Sequence, residues 1–230
     1  MLIKNARDYE GRICDYLIAD GKIRAIGTDL PEAGEVINAK GLTILPAFID
    51  THCHWRTPGF EYKEDIATGS AAAAAGGYTF VNLMPNTKPV CSSAEIVHEV
   101  EEKAREIGLC DANQTVSITK NFDGHTIDHL LDLPDDIEFI TEDGNGVMNN
   151  ATMARVFAVA AERGLTVMSH AEDREISRGI TAWPKTLRRC ATATWPNITA
   201  PACICAMFPP KNLWIWCARA AAAVQWSAAK

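Results

Sequence analysis

The sequence predicts an α/β chain: a small β region over residues 1–46, then about the first five strands of an incomplete (β/α)8 TIM-like barrel over 47–178. Three observations carry this. The first 46 residues alternate short apolar stretches with turns. From residue 42 the pattern becomes strand, then helix, repeated. Residues able to bind metal fall just after three of the strands, where parallel barrels place their active sites.

Leu17-Ile18-Ala19 and Lys22–Gly27 flank Asp20-Gly21, and an Asp-Gly pair between alternating runs is a hairpin signal. Val36–Leu42 predicts another strand and turn. Leu42–Ile49 is the first buried strand of the second region, and Glu64–Ala75 is an Ala-rich helix. Thr79–Met84 predicts a strand, Ser93–Ile107 a helix, and Thr115–Thr119 and Ile137–Thr141 two more strands. Asn150–Arg163 has apolar positions at helical spacing, and Leu165–Ser169 is the fifth strand. Alternating strands and helices predict a parallel sheet with crossover helices, and five such strands fit an unfinished barrel better than a finished open sheet.

Composition narrows the function. A net charge of −7 argues against general nucleic-acid binding. With no apolar run of about 18 residues, no membrane span is expected. The N-terminus lacks a signal-peptide pattern, so the protein is expected in the cytoplasm. All 29 Asp and Glu lie in residues 1–178, whereas 179–230 hold six basic residues, no acid and five of the six Trp. A domain surface needs charge of both signs to face water, so 179–230 reads as an aberrant, largely irregular tail.

The sharpest motif is Asp50-Thr51-His52-Cys53-His54. Side chains at i and i+2 of a strand share a face, so both imidazoles can reach one ion. Thr141-Glu142-Asp143-Gly144 and Ser169-His170-Ala171-Glu172-Asp173 follow two later strands, and imidazole with carboxylate makes a mixed zinc site. The bland alternative is a structural His pair with capping acids and a satisfied core His. His98 reads as part of a solvated helix face. His125 and His129, at i and i+4 with no Glu at the zincin position, read as surface residues. Cys53 must point away from its His neighbours and pack, and Cys203-Ile204-Cys205 is a weak metal or redox signal.

Ile49–Arg56 resembles the metal-binding start of the amidohydrolase barrel. Met84-Pro85-Asn86-Thr87-Lys88-Pro89 resembles the substrate loop of dihydroorotases, with Pro58–Glu64 between them also typical. Asp143 and His170, 27 residues apart, resemble the bacterial type in which Asp bridges the metals. The resemblance covers about residues 1–178 and implies a zinc enzyme of pyrimidine synthesis interconverting carbamoyl aspartate and dihydroorotate. It implies one or two Zn2+, with His52 and His54 on one and His170 on a second. Asp143 would bridge and position the activated hydroxide. Arg56 would pair bidentately with the substrate carboxylate, and Asn86 would hydrogen-bond the same carboxylate or the ring. Implied partners are the small-molecule substrate, further copies of the chain or aspartate carbamoyltransferase. Allantoinase and dihydropyrimidinase are rivals, but Arg56 with the Met84–Pro89 loop favours a carboxylated substrate.

The family also needs a metal His after the sixth strand and a catalytic Asp after the eighth. No His follows His170 and no Asp follows Asp173. This chain is therefore expected to be inactive or weak, or to be a non-catalytic fragment or partner subunit. A shift of reading frame near Arg178 would explain the tail, because Cys203–Arg219 read in another frame permits HLCHVSTKESVDLVRA, which resembles the sixth-strand motif.

Overall fold

The computed structural model describes residues 1–32 and 34–170, with the backbone of Cys203 and Ile204. The chain divides into two compact units, one of Met1–Phe48 and a second beginning at Ile49.

The first unit is a four-stranded sheet of β1 (Leu2–Arg7), β2 (Ile13–Ala19), β3 (Lys22–Gly27) and β4 (Val36–Asn38), in the order β3-β2-β1-β4. β1, β2 and β3 pair antiparallel, and β4 runs parallel to β1. The Asp20-Gly21 turn has φ of 52° and 67°, the two positive angles that let a two-residue hairpin follow the strand twist. Ala6, Tyr16 and Ala39 form its core.

Asp15 pins this unit. Its carboxylate accepts the Asn5 N–H at 2.9 Å, where β1 bulges, and the Leu30 N–H at 3.2 Å. The Asn5 hydrogen bond, opposed by burial and helped by the Leu30 bond, holds its pKa below the usual 3.8. A depressed carboxylate pKa adds stability above the unfolded value, and that stability is lost as pH falls through the folded value. Asp15→Asn should therefore destabilise the protein to urea at pH 7, with the gap to wild type closing below pH 3.8. A gap independent of pH would count against this account.

The sequence-predicted strand Leu42–Ile49 is displaced. Residues 42–44 belong to the first unit, where Arg7 donates to Leu42 O at 3.0 Å and Ile44 donates to Arg7 O at 2.8 Å. Pro46 has no N–H to give a ladder, and β5 starts beyond it, at Phe48–Cys53.

The second unit continues with α1 (Ile66–Ala75), β6 (Tyr78–Leu83), α2 (Ala94–Ile107), β7 (Asp111–Gln114), β8 (Val116–Ser117), β9 (Phe139–Thr141), α3 (Asn150–Arg163), β10 (Thr166–Met168) and β11 (Cys203–Ile204). Its sheets run β5-β6-β7 and β8-β9-β10-β11, with β6/β7, β8/β9, β9/β10 and β10/β11 parallel. The predicted strand Thr115–Thr119 starts earlier and breaks in two. Thr115 sends both its N–H (3.0 Å) and its hydroxyl (2.7 Å) to Leu83 O, closing the ladder with β6 just before β8 joins β9.

Two of the helices, α1 and α3, start on side-chain caps, whereas the Ser93 side chain does not cap α2. Asp65 and Thr68 form a reciprocal capping box for α1, and Asn149 accepts from Ala151 and Thr152 N–H for α3. Both α2 and α3 end on a left-handed glycine, Gly108 and Gly164. Val97, Val100 and Ala104 of α2, and Met153, Val156 and Ala160 of α3, are the buried stripes that cover the strands. One core gathers around Val116, Ile118, Ile140 and Val167, another around Trp55, Val81 and Leu83. The backbone of Cys203–Ile204 pairs with Val167–Met168; the expectation for residues 179–230 otherwise lies outside the described residues. Among these, no helix is long and apolar enough to cross a membrane.

Candidate metal centre

Parallel strands deliver their following residues to one edge of a sheet, and the candidate site is built from such residues. His52 ends β5 but for one residue and His54 follows it; Asp143 and His170 each stand two residues past β9 and β10. His52, His54 and Asp143 offer donor atoms that all lie within 4.8 Å of one another. The His52 and His54 rings sit 5.1 Å apart, centroid to centroid. His52 Nε2 is 3.5 Å from Asp143 Oδ1, and His54 Nε2 is 3.6 Å from Asp143 Oδ2. His170 stands outside this three-donor group, with Nδ1 at 3.1 Å from Asp143 Oδ1. A pocket lined by His52, Thr141, Asp143, Met168, Ser169 and His170 opens on them.

The protonation states suit cation binding. Asp143 is only 6% exposed. Burial pushes its pKa up, but the His170 hydrogen bond and the nearby His52 and His54 outweigh it, so it stays below the usual carboxylate value. Burial lowers the His54 pKa, against the opposing hydrogen bond to Asn86. At neutral pH the site then offers a carboxylate and a neutral imidazole with a lone pair, the forms that bind a metal. Two imidazoles and a carboxylate on rigid strand ends fit a zinc-type ion.

Arg56 and Asn86 meet beside the three donors. Arg56 Nη1 is 3.2 Å from Asn86 Oδ1, which is also 3.0 Å from His54 Nδ1, while Asn86 Nδ2 donates to Asp143 Oδ2 at 3.1 Å. Asn86 thus joins His54, the acid and the Arg, a role its position in a Pro-rich turn does not announce. Glu142, part of the Thr141–Gly144 motif, receives no role of its own from the sequence. It is 1% exposed and takes both the backbone N–H (2.8 Å) and the hydroxyl of Thr119. Burial raises its pKa, the Thr119 hydrogen bonds opposing. Its adjacency to Asp143 was the available signal.

The remaining candidates separate. Cys53 packs beside the core that contains Trp55, and His98 is exposed, 3.0 Å from Asp136. His125 is exposed, but His129, expected on the surface, is half-buried. Its Nε2 donates to Ser117 O at 2.9 Å and its enclosed Nδ1 has no hydrogen-bond partner. His129 lies in the short 3-10 turn Asp128–Leu131, beside the buried Leu130, a placement that i, i+4 spacing does not foretell.

An L-hydantoinase (dihydropyrimidinase) from Arthrobacter aurescens superposes with a TM-score of 0.65 at 23% identity, over 77% of this chain and 42% of that one. The likeness is one of fold, an α/β arrangement shared with the matching part of that enzyme. A family described as Dihydro-orotase-like matches residues 41–185. The dihydroorotase of Clostridium botulinum (strain Eklund 17B / Type B) is 46% identical over 187 residues, 77% of this chain and 46% of that protein. That of Aquifex aeolicus is 38% identical over 182 residues, 78% of this chain and 43% of that protein. The chain belongs to the dihydroorotase-like family. It spans about half the length of the curated relatives it matches.

Proposed function

We propose that this chain carries the first part of the barrel of a zinc-dependent dihydroorotase, acting on N-carbamoyl-L-aspartate and L-dihydroorotate in pyrimidine synthesis. The observation that carries this is Arg56 beside the His52–His54–Asp143 group, joined to it by Asn86. His52, His54 and Asp143 would hold a zinc, and His170, beside Asp143, would serve a second. Arg56 takes the substrate carboxylate in its guanidinium fork, and Asn86 faces the same group. Bound zinc supplies a nucleophile at neutral pH and polarises the reacting carbonyl. Hydrolysis adds the hydroxyl of water to the ring amide carbon and a proton to the ring nitrogen as the C–N bond breaks. Ring closure reverses this and releases the water. The protein's own part is to keep Asp143 ionised, to orient both imidazoles and to fix the carboxylate end so that the ring amide faces them.

A dianionic substrate, which does not cross a membrane unaided, suits a cytoplasmic enzyme. Assembly with further copies or with aspartate carbamoyltransferase rests on the resemblance alone. For these 230 residues by themselves we propose weak or absent turnover, since no His follows His170 and no Asp follows Asp173. The test is a zinc titration with an assay of ring closure and ring opening. Zinc uptake dependent on His52, His54 and Asp143, with carbamoyl aspartate bound more tightly than hydantoin or dihydrouracil and turned over weakly or not at all, is the expected result. Preference for an uncarboxylated ring would move the reading to the dihydropyrimidinase side, and absence of zinc uptake would overturn it.

A further inference from the structure

We propose that Asn86 is a positioning residue of the metal centre, holding His54 as the Nδ1–H tautomer so that Nε2 is left to face a cation. This rests on the reading of His52, His54 and Asp143 as metal ligands, and it gives Asn86 work that contact with a substrate carboxylate does not require.

The chemistry of its neighbours decides which way the Asn86 amide faces. An ionised carboxylate only accepts hydrogen bonds and a guanidinium only donates them. Nδ2 is 3.1 Å from Asp143 Oδ2 and Oδ1 is 3.2 Å from Arg56 Nη1, so each end meets a group of the right kind. Turning the amide over would set its NH2 against the guanidinium and its oxygen against the carboxylate, losing both bonds. Oδ1, fixed in this way, lies 3.0 Å from His54 Nδ1 and can only accept. Nδ1 must therefore carry the hydrogen.

In the neutral ring this leaves a lone pair on Nε2, which faces Asp143 Oδ2 at 3.6 Å. Two acceptors then face each other without a proton between them, an arrangement that a cation relieves. One half-buried amide thus sets the coordinating nitrogen of one ligand and tethers the oxygen of another. The partner of the ring nitrogen that does not bind metal orients such sites, and losing it commonly costs roughly 10–100-fold in metal affinity.

Two measurements on the full chain test this. The first is nitrogen NMR of the metal-free protein with labelled histidine, the His54 signals assigned through His54→Gln. Wild type is expected to show Nδ1–H at neutral pH, Asn86→Asp to keep it because an acceptor remains, and Asn86→Leu to lose it. The second is cobalt(II) titration followed by visible absorption, in which Asn86→Leu should bind roughly 10–100-fold more weakly than wild type. A folded Asn86→Leu that keeps both the tautomer and the cobalt affinity overturns the proposal and leaves the metal reading standing. Wild type that binds no cobalt overturns the metal reading, and with it the assignment of Asn86 to a metal centre. The NMR comparison then still reports whether Asn86 sets the His54 tautomer.

Discussion

Asp143→Asn is expected to abolish zinc and cobalt binding at micromolar metal, weakening it on the order of a thousandfold, while the chain stays folded. Among the described residues, Asp143 is the one in contact with His52, His54, His170 and Asn86. It is also the one negative charge in the three-donor group. Two opposite unit charges about 4 Å apart attract by about 4 kcal/mol at an effective dielectric near 20. Each 1.4 kcal/mol is about tenfold in affinity, and a divalent ion gains more than a unit charge does. Asn keeps the shape and loses this term. It also places an NH2 at one of the two positions where His170 and Asn86 now meet oxygens. Isothermal titration with each metal, alongside circular dichroism, checks it. Wild-type affinity in folded Asp143→Asn would mean that the acid serves only to order the loop.

The second large effect lies behind the Arg. Trp55 is 2% exposed and sits between His54 and Arg56. Its ring lies over Gly69 of α1 so closely that a Cβ there would come within 2.2 Å of Cδ1. Directly after it the chain turns sharply. Thr57 donates to Trp55 O at 2.8 Å, and Arg56 between them has φ of 61°. That is the hand of the rare, strained γ-turn, kept only where packing over-determines it. We expect Trp55→Ala to cost about 3–5 kcal/mol, a large share of a typical 5–15 kcal/mol total. Gly69→Ala should cost about 1–3 kcal/mol by overpacking. Because the two clash with each other, Trp55→Phe combined with Gly69→Ala should lose less than the single changes summed, a coupling that urea unfolding can read. In Gly69→Ala, displacement of Trp55 should also carry Arg56 away from Asn86 and weaken carboxylate binding. Strict additivity would show that Trp55 and Gly69 do not share the slot.

Much of the fold was legible in short-range pattern. The Asp20-Gly21 hairpin, the Asp65 and Asn149 caps and the stripes on α2 and α3 stand near where local chemistry puts them. The reading slipped at Leu42–Ile49 and Thr115–Thr119. In both places a partner distant in the chain decides the pairing, Arg7 for residues 42–44 and Leu83 for Thr115. Apolar content alone cannot say with which neighbour a strand will pair.

For the centre itself, the sequence determined the chemical types on offer. It set two imidazoles at i and i+2, an acid and a His after later strands, and an Arg and an Asn near the first of them. Strand periodicity suffices for the His pair, because adjacent pleats send i and i+2 to one face. Only the tertiary structure decided that His54 Nδ1, Arg56 and Asp143 meet on the single amide of Asn86, that Glu142 is clamped by Thr119, and that Trp55 fills the slot at Gly69. Those contacts join residues 14 to 57 positions apart. They arise from the order in which parallel strands and helices pack, and local sequence does not encode that order.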